Sequence, residues 1–211
     1  GGYGARTLRA RDWAATRWSD FGGVLRTNRA AAATELAGGA YNSLAVTLVG
    51  GAATTAQAAS YVSGDKLYHI GQYSVSALGN ALQGWVVEEG TAQFGRRVRT
   101  SLLLHLTLGV LGFAAFALIG PWLSVVLLGP TVAIDQMTAF GLGTATLGIA
   151  LGTSLGRITL IGMGANRAFL ASVLIAASVG VPAIILLSSI FGAAGGAWGL
   201  AIGEMVSVTA Q

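Results

Sequence analysis

Cysteine is absent from the 211 residues, which excludes disulfides and thiolate metal sites. Charge is scarce. Asp, Glu, Lys and Arg make up 9% of the chain, against about a quarter in a soluble domain. Only three prolines interrupt it, Pro121, Pro130 and Pro182, so long helices can run unbroken between them. The two histidines, His69 and His105, fall in different segments and suggest no zinc pair. The glycine-rich segments lack the Lys-Ser/Thr of a phosphate loop. No nucleophile stands with a base in any recognisable pattern. These absences argue against an enzyme, and neither a cofactor nor a metal is expected.

What is present is apolar. The chain is 54% hydrophobic, holds 32 glycines and has a mean hydropathy of +0.69. That composition belongs to polytopic, all-α membrane proteins, in which glycine lets helices approach closely. The length allows about six spans of ~20 residues. Six of the twelve basic residues lie in residues 1–29, where Ala14, Trp18, Phe21 and Leu25 recur at helical spacing. This reads as an amphipathic linker helix lying on the cytoplasmic membrane surface. The net charge of +4 is not a nucleic-acid signal, because the arginines sit at segment ends as positive-inside topology requires. Spans are expected at about 30–49, 54–87, 101–128, 136–163, 168–191 and 197–211. Gly120-Pro121 should kink or end the third, and Pro182 should bend the fifth. Gly148, Gly152 and Gly156 form one small-residue ridge, and Gly195, Gly199 and Gly203 another. Residues 96–99 and 164–167 bring the basic residues on the cytoplasmic side to ten of the twelve, Arg157 lies toward the same side, and Lys66 is the exception to the bias. The chain starts without methionine and stops inside an apolar segment, so it reads as a fragment.

The second span organises the rest. It carries Asp65, His69, Gln72, Ser76, Asn80 and Gln83 at helical steps, with Leu67, Ile70, Val75, Leu78, Leu82 and Trp85 on the other faces. Polar side chains are costly against lipid, so the polar stripe is expected to face a water-filled cavity. Wound from Thr54, the helix brings Asp65 and Lys66 to ~16 Å depth, near the midplane of a ~30 Å core. A break at Ser60–Gly64 would instead leave them in an outer loop. Adjacent residues diverge by ~100°, so Asp65 and Lys66 cannot neutralise each other as an i, i+4 pair does. A midplane lysine needs a reason, and binding an anion is one. Asn42 in the first span and Arg157 in the fourth are further cavity candidates, Arg157 as a second cationic contact or as a snorkelling residue. Glu204 and Glu35 are candidate ion-coupling sites. Glu204 reads equally as a structural partner for Arg157. Asp135 and Glu89 read as solvated loop-end charges.

Tyr61-Val62-Ser63-Gly64-Asp65-Lys66-Leu67, followed by a run leading to Leu82-Gln83-Gly84-Trp85-Val86, resembles the O-antigen and polysaccharide flippases of the multidrug/oligosaccharidyl-lipid/polysaccharide exporter superfamily. Val126-Leu127-Leu128-Gly129 and Gly196-Ala197-Trp198-Gly199 are similar to short motifs elsewhere in that family. Gly64 departs from the usual alanine, and Gly84 stands near a usual proline. The resemblance implies the second six-helix half-bundle of a two-lobe transporter of twelve to fourteen helices. It implies residence in the bacterial inner membrane, a missing N-terminal lobe, and membrane lipids as surroundings. It also implies that Lys66 contacts the diphosphate of a polyprenyl-diphosphate-linked glycan, which crosses by alternating access.

Two other functions remain open at this point. A cation-coupled multidrug exporter of the same superfamily would want a carboxylate and aromatic cavity without a midplane lysine. A membrane-embedded polysaccharide-assembly enzyme would want a long outer loop rich in arginine and histidine, whereas the outer loops read here are short and lack arginine.

Overall fold

The computed structural model describes residues 44–88 and 93–211. The linker at 1–29, Glu35, Asn42 and Glu89 lie outside the described residues. Among the described residues the chain is helical, without strands. Helix α1 covers 44–52, α2 Thr55–Val86, α3 Phe94–Leu128, and a short 3-10 turn Pro130–Val132 leads to α4, Gln136–Gly152. Helix α4 continues as a π-helical stretch, Thr153–Leu160. Helix α5, Asn166–Thr209, is broken at Gly192, whose φ of 59° and ψ of −130° leave the helical region. Three helices are long and apolar enough to cross a membrane: α3, α4 with its π stretch, and α5, with mean hydropathies of 2.3, 1.3 and 2.5. Helix α2 is long enough at 32 residues but less apolar.

Contacts along the helices give their directions. Gly64 of α2 lies against Leu142 of α4, Gly71 against Thr146 and Gly79 against Thr153, so the two numberings rise together. Gly141 and Gly148 of α4 likewise lie against Ala197 and Glu204 of α5. Helix α3 runs opposite to α4, with Gly109 at Ala150 and Gly120 at Ala139. The two halves of α5 fold back on each other, Gly199 against Ile184. Helix α4 touches α2, α3 and α5, and 56% of its apolar window is buried, against 17% in α3 and 22% in α5. It is the central helix.

Several expected boundaries are corrected. The third span begins at Phe94 rather than Ser101, so Arg96, Arg97 and Arg99 are helical. Arg97 clamps the α2–α3 turn, donating to the Trp85 carbonyl at 2.5 Å and to Glu88 at 2.7 Å, with its guanidinium 5.1 Å from the Trp85 ring. Pro121 does not end α3. It removes the N–H that would bond the Ala117 carbonyl, and Gln136 Nε2 donates to that carbonyl instead, at 2.8 Å. The turn expected at 192–196 shrinks to Gly192, and the freed Ala193 N–H donates to Gln57 Oε1 at 3.1 Å. Asp135 is a helix cap rather than a free loop charge, accepting from the Thr138 N–H at 2.6 Å. Helix α2 is continuous through Ser60–Gly64, which removes the loop alternative for Asp65 and Lys66.

A Cβ on Gly141 would lie 2.8 Å from Ala197 Cβ and 2.9 Å from its carbonyl carbon. Backbone cannot yield cheaply, so Gly141→Val should destabilise by about 1–3 kcal/mol. The intact protein in detergent should show a lowered thermal midpoint. Gly84→Ala, where nothing lies within 4 Å, should leave the midpoint within a degree or two of the parent (~0.5 kcal/mol). Equal midpoints for the two variants would contradict this packing.

Candidate functional site

Helix α2 has one packed face and one open face. Gly64, Tyr68, Val75, Gly79 and Val86 are buried. On the opposite side Lys66, Tyr73 and Asn80 are exposed, Tyr73 by 69%. These three are spaced seven apart, so they share one line along the helix. Exposed Ile70 lies beside them, at 59%. The expected polar stripe falls on neither face but on the border between them. His69, Gln72, Ser76 and Gln83 are half-buried and Asn80 is exposed. Asp65 is buried, at 8%, so the reading that places it toward open water is corrected. Leu67 is buried, while Leu78 and Leu82 are half-buried.

The physical reason lies in the glycines. Gly64, Gly71 and Gly79 let α2 settle against α4, and that contact turns Asp65 inward. Asp65 has a partner one turn on. His69 Nδ1 lies 3.3 Å from the Asp65 carboxylate and 2.8 Å from the Asp65 carbonyl. Both neighbours are acceptors, so Nδ1 carries the hydrogen and donates. Lys66 forms no ion pair among the described residues.

A second polar cluster escapes sequence reading. His105 of α3 is fully buried. Its Nδ1 donates to the Ser101 carbonyl at 2.9 Å, and the Ser101 hydroxyl lies 3.2 Å from that of Ser154. That leaves Nε2 as an acceptor, buried and without a hydrogen-bond partner, where Gly79 of α2 passes. Ser154 lies in the first turn of the π stretch, and Thr159 donates to the Ser154 carbonyl at 2.8 Å. The available signal was Ser101 and His105 at i, i+4 in an otherwise apolar segment.

The remaining candidates are scattered. Arg157 sits in the π stretch, which also carries the Ser154 contact. Glu204 is half-buried on α5, and among the described residues no ion pair joins it to Arg157. Among the described residues no group of three or more His, Cys, Asp and Glu side chains is placed to hold a metal. No family model, curated protein or solved structure matches the chain.

In the cysteine-free background, single cysteines at Lys66, Tyr73 and Asn80 should react with a membrane-impermeant thiol reagent in native membranes. Cysteines at Tyr68 and Val75 should not. Comparable labelling of both groups would contradict the division of α2 into packed and open faces.

Proposed function

We propose that this chain is the second six-helix half-bundle of a multi-pass bacterial inner-membrane transporter. Its cargo is a polyprenyl-diphosphate-linked oligosaccharide, a precursor of O-antigen, polysaccharide or teichoic-acid type, moved by alternating access. One observation carries the reading: Lys66 is exposed in the interior of α2. It lies eleven residues past Thr55, ~16 Å along the axis. A lysine at such a depth is expensive against lipid, by about 2.5–3.5 kcal/mol or more. The open face with Lys66, Tyr73 and Asn80 therefore fronts water, in a cleft completed by a first lobe. An ammonium there is suited to a diphosphate, and the cleft's lowered dielectric strengthens the attraction. His69, Gln72, Ser76 and Gln83, at the border of that face, supply neutral hydrogen bonds for sugar hydroxyls. The hydrocarbon tail stays in the bilayer. A drug exporter has no comparable use for the lysine, and the flippase reading is preferred on that ground.

Export of the glycan by cells carrying only a full-length variant tests the proposal, with membrane levels checked by blotting. Loss of a charge-assisted contact worth ~1.5–3 kcal/mol should weaken head-group binding about tenfold or more in Lys66→Gln. Lys66→Arg should retain most export, since it keeps the charge and adds a fork that fits phosphate. Lys66→Glu should be worse than Lys66→Gln. Normal export from well-expressed Lys66→Glu would overturn the mechanism.

A further inference from the structure

Glu204 is the acidic residue of α5, a helix with a mean hydropathy of 2.5. It lies twelve residues past the break at Gly192 (204 − 192), ~18 Å along the axis at 1.5 Å per residue. That is deep within a ~30 Å hydrocarbon core. Its side of the helix faces α4 at Gly148, where an added Cβ would lie 2.7 Å from Glu204 Cβ. The close approach requires glycine there, so α4 offers no side chain at this level to neutralise the carboxylate.

The other packed elements offer none either. The charged or titratable groups of α4 and α5 besides Glu204 are Arg157, in the π stretch, and Arg167, in the first turn of α5. Those of α2 are Asp65, Lys66 and His69, with Asp65 and His69 paired to each other, and the tyrosines Tyr61, Tyr68 and Tyr73. The described part of α1 carries no charge. Among the described residues no ion pair reaches Glu204. Gly71 meets α4 at Thr146, two residues from the Gly148 level, and the neighbouring Gln72 has a buried Nε2 without an acceptor.

An ionised carboxylate without a counter-charge is costly in hydrocarbon. Two states are therefore open to Glu204: neutral and shielded, or ionised and wet. Its half-burial sets it at the boundary between them. We propose that Glu204 is a proton-binding site of the bundle. It takes a proton from water when the carboxylate is wet, is shielded as the neutral acid when α4 and α5 close around it, and returns the proton to water on reopening. Its use as the coupling proton of a transport cycle rests on the transporter reading above, while proton binding itself does not.

The test is modification of the intact protein in native membranes by the hydrophobic reagent dicyclohexylcarbodiimide. The reagent adds across the O–H of a neutral carboxylic acid to give an O-acylisourea, which rearranges to an N-acylurea that retains every atom. Peptide mass spectrometry then locates the adduct. Glu204 should be labelled in mildly acidic buffer, and about tenfold less in buffer made alkaline past its titration. Exposed Asp135 and Glu88 should remain unlabelled, and Glu204→Gln should lose the adduct. An unlabelled Glu204, or labelling that does not change with pH, would overturn the proposal. So would labelling that sodium suppresses equally at every pH, which would make this a metal-cation site. No cargo is needed, so failure here is distinguishable from failure of the Lys66 export test.

Discussion

The close approach of backbones along α4 is the constraint on which the rest of the bundle depends. In lipid there is no hydrophobic drive between helices, so association rests on packing and interhelical hydrogen bonds. Helix α4 meets α5 at Gly141 and Gly148, and α2 meets α4 at Gly64, Gly71 and Gly79. A side chain at Gly141 or Gly148 would push α5 away. Once those faces are committed to packing, the orientation of α2 is settled, and Lys66, Tyr73 and Asn80 are left open. The polar face of α2 is thus a consequence of where its glycines lie.

The irregular points of the backbone obey a second constraint. A polar group left unpaired in hydrocarbon costs several kcal/mol (~2–7), so each break in a helix calls for a substitute partner. Pro121 deprives the Ala117 carbonyl of its bond, and Gln136 replaces it. Gly192 frees the Ala193 N–H, which Gln57 accepts. In the π stretch the Thr159 hydroxyl bonds the Ser154 carbonyl. Gln57 and Gln136 also join separate segments, α2 to α5 and α4 to α3. The repairs therefore fasten the bundle as well as satisfying it. His105 Nε2 and Gln72 Nε2 are among the buried side-chain atoms that have no such partner among the described residues.

The all-helical, apolar character was legible in the sequence, because apolar runs set helix type before any contact is known, while the described residues hold three helices long and apolar enough to cross a membrane against the six spans expected. The second glycine ridge was read correctly as a packing surface, since Gly195 and Gly199 do meet the first half of α5. The ridge on α4 packs as expected too: Gly148 lies against Glu204, Gly152 near Val208 and Gly156 against Phe169, all residues of α5. The stripe on α2 was misplaced by about a quarter turn. Polar residues mark where a helix tolerates water, while its glycines mark where it must pack, and the glycines at 64, 71 and 79 were the stronger signal. Asp65 stands next to Lys66 in the chain, but His69 at i+4 is the neighbour that a helix brings to it. The contact of Ser101 with Ser154 crosses two helices, and no local spacing reveals it.

The packing of α2 on α4 by its glycine face can be measured directly, because the chain has no cysteine of its own. A Cβ built on Gly71 lies 3.3 Å from the Thr146 methyl and 3.7 Å from its hydroxyl, so the two positions face each other closely enough for a disulfide, whose Cβ atoms stand ~3.5–4.5 Å apart. The pair Gly71→Cys with Thr146→Cys, placed in the intact protein and oxidised mildly in native membranes, should cross-link rapidly and almost completely. The pair Tyr73→Cys with Thr146→Cys should not, because position 73 is on the open face. Cross-linking of the second pair in preference to the first would mean that α2 packs by its polar side, and would contradict the account.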